Sequence, residues 1–76
     1  MLELYGSTGC PYTAELREQL MWQRRQFVEY DVEHDAQALQ RLVALTDGIA
    51  GVPVLVEDGA VTAIGWEGRT CYVKPP

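Results

Sequence analysis

The sequence predicts one small α/β domain built on a four-stranded mixed sheet, in the order β-α-β-α-β-β. Three observations carry that prediction. Segments patterned as strands are twice separated by stretches with helical spacing. An Asp58-Gly59 pair then joins two further apolar runs, the strongest two-residue hairpin signal. The chain also has 76 residues, 47% hydrophobic and 22% charged, the balance of an ordinary globular domain. Residues 1–76 are therefore read as a single domain, with a core limited by a chain that buries only about 60% of its unfolded surface.

Leu2 to Tyr5 is a short apolar-rich run that stops at Gly6, a strand leading into the Gly6-Ser7-Thr8-Gly9 loop. Pro11 suits a first helical position, where its missing N–H has no partner to lose. From Tyr12 to about Arg25 no glycine or proline intervenes, and Leu16 and Leu20 share one face. Arg24 and Arg25 are expected to close that helix, where cations complement its negative end. Gln26 to Val32 alternates apolar and polar residues as a strand does. Ala36 to Thr46 places Leu39, Leu42 and Val43 on one helical face, with Gly48 as the stop. Val52 to Val56, interrupted only by Pro53, reads as a third strand, and Val61 to Ile64 as its hairpin partner. Gly65 to Pro76 has room for a turn or two of helix. The first two strands should be parallel through a right-handed crossover, and the last two antiparallel.

Composition excludes several functions. Six basic against 11 acidic side chains give a charge of −5, against a nucleic-acid partner, which requires a basic face. No apolar stretch approaches the roughly 18 to 20 residues that span a bilayer, so no membrane partner is expected. Met1 to Tyr5 carries an acid and no basic n-region, unlike a secretory signal. Two cysteines are too few for a disulfide framework, and a reducing cytoplasm is the expected compartment.

The chemistry concentrates at Gly9-Cys10-Pro11-Tyr12-Thr13. Cys10 falls at the N-cap of the first helix, where unpaired N–H groups and the positive dipole end favour a thiolate. Lowering a thiol pKa from ~8.5 by ~2 units raises the thiolate fraction at neutral pH about 25-fold. A Brønsted coefficient near ~0.45 takes back about 8-fold in nucleophilicity, so the attack rate gains only about threefold. The larger benefit is that such a sulfur leaves readily from a mixed disulfide, which suits exchange. Thr13, one helical turn on, is expected to donate its hydroxyl to the Cys10 sulfur. An inert packed thiol is the plain alternative.

Cys10-Pro11-Tyr12-Thr13 after a glycine-containing loop resembles the Cys-Pro-Tyr-Cys site of glutaredoxins, with threonine in place of the second cysteine. Gly51-Val52-Pro53-Val54 is similar to that family's Thr-Val-Pro segment, and the element order matches over essentially the whole chain. The resemblance implies a thioredoxin-like fold and a cis proline at Pro53 against the reactive sulfur. It also implies a single-thiol oxidoreductase. Cys10 would be its nucleophile, Thr13 its hydroxyl donor, and Pro11, Tyr12, Val52 and Pro53 the residues that position the partner. That partner would be a disulfide-containing protein or a glutathione mixed disulfide. Glutathione enters as co-substrate, with a reductase as the other source of electrons, and no cofactor is permanently bound.

Departures from the family pattern bear on the partner. Ser7 and Thr8 stand where a basic residue usually holds a glutathione carboxylate, and Gly48-Ile49-Ala50-Gly51 carries no charge. Gly65-Trp66-Glu67-Gly68 replaces the Gly-Asp pair that grips the γ-glutamyl end, so glutathione should bind weakly, through the main chain of Val52. Trp66-Glu67-Gly68-Arg69 is similar to the Trp-Ser-Gly-Phe segment of NrdH-type redoxins, which places Trp66 and Glu67 among the substrate-binding candidates. Cys71 is expected to be a bystander unless the final segment brings its Cα within about 7 Å of that of Cys10. His34 reads as a capping or solvated residue, and no metal site is expected. Two rivals remain open: a non-catalytic binding module, and a cluster held between two copies through Cys10 and glutathione.

Overall fold

The structure is a computed structural model describing residues 1–73. Its elements are β1 (Leu2–Gly6), α1 (Pro11–Trp22), β2 (Val28–Asp31), α2 (Ala36–Leu45), β3 (Gly51–Val52), β4 (Val54–Glu57), β5 (Ala60–Ile64) and β6 (Cys71–Tyr72). The four-stranded sheet has the order β2-β1-β4-β5. β1 lies at its centre, with Tyr5 opposite Tyr30 of parallel β2 and opposite Val54 of antiparallel β4. β4 and β5 form the hairpin expected around Asp58-Gly59, where both residues take positive φ.

Strand alternation divides the core between the two faces of this sheet. Leu2, Leu4 and Leu55 meet Leu16 and Leu20 of α1, with Phe27 and Trp66 packed alongside. Tyr5, Val54 and Val56 meet Leu39 and Leu42 of α2. One helix thus covers each face, the three-layer arrangement of a thioredoxin-like α/β domain. Asp35 caps α2, accepting a bond from Ala38 N at 3.1 Å, while exposed His34 instead pairs with Asp31. No helix among the described residues is long and apolar enough to cross a membrane.

The structure corrects several sequence expectations. α1 ends at Trp22 rather than near Arg25, because Arg24 turns into the left-handed region at φ 56° and Arg25 N bonds back to Leu20 O. The two arginines therefore lie beyond the last turn. β2 begins only at Val28, where its register with β1 starts opposite Glu3, and Phe27 before it packs on the leucine core. Pro53, which has no N–H to offer a ladder, divides the expected third strand into β3 and β4, which belong to different sheets. The segment after Gly65 forms no helix within the described residues. It makes a tight turn at Trp66–Arg69 and then a two-residue strand, β6, paired with β3. Positions 74–76 of the expected final helix lie outside the described residues.

Candidate functional site

The site forms where the β1–α1 loop, the β3–β4 junction and β6 converge. Cys10 is the N-cap of α1, with Pro11 at the first helical position, as the sequence predicts. Its N–H donates to Ser7 O at 3.2 Å, and its carbonyl accepts from Ala14 N at 3.3 Å. The loop is braced by carboxylates at the end of β2: Thr8 Oγ1 donates to Asp31 Oδ2 at 2.6 Å, and Ser7 Oγ donates to Glu33 Oε1. The Asp31 carboxyl is held below its usual range chiefly by the Thr8 hydroxyl, with burial opposing and the His34 ring and the Glu33 main chain adding to the lowering.

Cys10 is bonded to Cys71, with their Cα atoms 6.0 Å apart. This corrects both the single-thiol expectation and the bystander reading of Cys71. The physical reason is the path of the chain after β5. Gly65, at φ 84°, sends its N–H to Pro53 O at 2.7 Å. Glu67 and Gly68, both at positive φ, then reverse direction between Trp66 and Arg69, whose main chains exchange bonds of 2.8 and 3.0 Å. The reversal lays β6 antiparallel to β3, with Cys71 opposite Val52 and Tyr72 opposite Gly51. That register delivers the second sulfur to the helix entrance.

The expected free, reachable sulfur is likewise corrected: Cys10 is only 3% exposed and Cys71 half-buried. Cys10 Sγ lies 4.0 Å from Val52 O, a contact rather than a hydrogen bond, because a disulfide sulfur carries no proton. Access runs through a pocket of about 200 Å³ lined by Ser7, Gly9, Cys10, Glu33, Cys71 and Tyr72. Its only ionisable side chain besides the Tyr72 phenol is an acid, Glu33, and no basic group lines it.

The other predicted residues are only partly gathered here. Val52 and Pro53 are fully buried beside the bridge, and the peptide bond between them is cis. Tyr12 is half-buried on the α2-side core, with the Arg69 guanidinium 5.9 Å from its ring centre, linking the turn to the start of α1. Thr13 is fully buried at the base of the loop, where its Oγ1 accepts from Ser7 N at 3.3 Å. Trp66 packs on the leucine core under α1, and Glu67 is exposed at the turn tip, so neither joins the pocket lining. Sequence reasoning missed Glu33 and Tyr72, and no local spacing pattern would have found them. Among the described residues, no three histidine, cysteine or acidic side chains group as metal ligands would.

No curated protein matches the chain. Among solved structures, it is similar to the thioredoxin-like protein BC3987 and to a point mutant of it, each at 33% identity and TM-score 0.75. The alignments cover 83% of this chain and 84% and 85% of those chains. A model of the glutaredoxin family matches residues 2–61, which contain Cys10, the cis proline and all four strands of the main sheet up to the first half of β5. That match spans most of the sequence and agrees with the fold, and the chain belongs to the glutaredoxin family.

Proposed function

We propose that this protein is a thiol–disulfide oxidoreductase whose working pair is Cys10 and Cys71. The carrying observation is their juxtaposition at the entrance of α1, supported by membership of a redox family. In the reduced protein the Cys10 thiolate, favoured by the free N–H groups of the first turn, attacks one sulfur of a substrate disulfide. A Cys10–substrate disulfide forms, and the other substrate sulfur leaves as a thiolate that takes a proton from solvent. The Cys71 thiolate then attacks the Cys10 sulfur, closing the internal bridge and releasing the second substrate thiol. Two electrons pass to the substrate, and an external dithiol reductase restores the pair.

The substrate class is a protein disulfide, with glutathione a poor co-substrate. The acidic Glu33 in a pocket without a basic group opposes a peptide carrying two carboxylates. A reducing cytoplasm suits the cycle, because it keeps the resting pair as thiols. One observation favours a second reading, a purely structural bridge: the deep burial of Cys10.

Equilibration in glutathione buffers, read by intact mass, separates the two. An exchanging pair opens at potentials of roughly −180 to −270 mV, whereas a structural bridge stays closed until the potential falls below about −300 mV. With oxidised glutathione, the reduced wild type should lose two hydrogens and retain no adduct, whereas Cys71→Ser should hold a persistent adduct on Cys10. A bridge that stays closed throughout that range overturns the reading.

A further inference from the structure

Resting on the Cys10–Cys71 exchange reading, we propose that Thr70–Val73 occupies the peptide-binding edge of this protein as a built-in stand-in for substrate. Substrates are then extended segments with a cysteine followed two residues later by a compact apolar side chain.

The main-chain edge of β3 pairs with nothing but β6 among the described residues. Val73 N–H donates to Ala50 O at 2.9 Å, and antiparallel alternation makes Val52 and Cys71 the next hydrogen-bonded pair. Cys71 therefore holds the position that a substrate cysteine must take: opposite Val52, with its sulfur on Cys10. An extended peptide joining Cys10 through a disulfide finds its strand-addition site at this same edge. The edge cannot hold both.

The tail also shows what the edge accepts. Side chains alternate along a strand, and Tyr72 is 85% exposed while Val73 is buried in the α2-side core beside Val52 and Ala50. The position after the cysteine is thus free, and the next one is apolar and closely packed. Thr70 lies beside Gly51, where an added Cβ would meet the threonine Cβ at an ordinary contact distance of 3.6 Å.

Exchange is what opens the edge. β3 and β6 share only two residue pairs, far short of an independently stable ladder, and the bridge is the covalent tie that fixes β6 to the entrance of α1 beside β3. Tethered through a short turn, the reduced tail still competes at an effective concentration on the order of millimolar. A free peptide at lower concentration loses that competition. A peptide bonded to Cys10 competes on equal terms, because it too has become intramolecular.

The test uses the full chain carrying Cys71→Ser and peptides of the Arg69–Lys74 sequence whose cysteine is activated with thionitrobenzoate. Cys10 attacks the peptide sulfur, and the yellow thionitrobenzoate anion leaves and is counted. A peptide with Tyr72→Ala should react within about twofold of the parent, and one with Val73→Asp at least about tenfold more slowly, as burying a carboxylate demands. Equal rates for all three overturn the proposal. In the wild type, reduction should speed hydrogen exchange at Cys71 and Val73 at least about tenfold while Leu4 and Leu55 stay protected. Unchanged protection at Cys71 and Val73 also overturns it. Failure of the exchange reading itself looks different: Cys71→Ser would then release no thionitrobenzoate even from the small symmetric disulfide reagent.

Discussion

The methyl group of Thr13 fills the space that a Cβ on Gly6 would need, so the first turn of α1 sits directly on the end of β1. With its hydroxyl accepting from Ser7 N, Thr13 fastens helix to strand from inside the core. It acts as a clamp for the loop that presents Cys10.

Thr13→Val should therefore cost stability and leave the thiol alone. Stranding the Ser7 N–H without its buried acceptor costs about 1 to 3 kcal/mol, read as a lower denaturation midpoint. In the Cys71→Ser background, ultraviolet titration of Cys10 should give the same midpoint with Thr13 or valine. A rise in that midpoint would restore the sulfur-donor role expected from sequence.

Gly65→Ala tests the delivery of Cys71. The new Cβ would meet Arg69 O at 2.8 Å, at a backbone φ of 84° that disfavours a side chain by about 1 to 2 kcal/mol. The turn should shift, and mixed disulfides on Cys10 should persist longer before Cys71 resolves them. Quenched-flow mass spectrometry measures that lifetime; an unaltered lifetime would detach Gly65 from the mechanism.

Glu33→Gln should lower the pKa of the Cys10 thiol in the Cys71→Ser protein, because a carboxylate sharing the pocket opposes a second anion. The same change should improve glutathione as a reductant. Titration and a glutathione-dependent rate assay check the two effects separately.

His34 supplies a pH marker. Its pKa is raised by the hydrogen bond to Asp31 and by that carboxylate's charge. The pair's stabilising contribution is thus complete below the unfolded value of about 6.5 and disappears as pH rises through the higher folded value. Nuclear magnetic resonance should place the imidazole midpoint above that of a model histidine, and Asp31→Asn should return it to the ordinary value.

The main sheet was legible because its signals are local: alternation, the Asp58-Gly59 turn, and helices with leucines on one face. The setting of Cys10 was legible for the same reason, since Pro11 marks the helix start beside it. The Cys71 contact was not. It depends on Gly65, on two positive-φ residues at Glu67 and Gly68, and on a pairing of only two residues, none of which leaves a periodic trace. The family match ends at residue 61, ahead of all of these. The Thr13 contact with Ser7 was not legible either, because helical spacing places Thr13 near Cys10 without revealing that its hydroxyl oxygen faces the Ser7 N–H.

The bridge links positions 61 residues apart and so encircles nearly the entire polypeptide. Severing a ring of that size gives back to the denatured chain an entropy equivalent to about 4 kcal/mol, a large share of what a small domain possesses. Reduction of the bridge should accordingly carry the molecule from a rugged to a fragile form. Heating with and without dithiothreitol would expose the difference, and proteases would find the reduced form the easier prey.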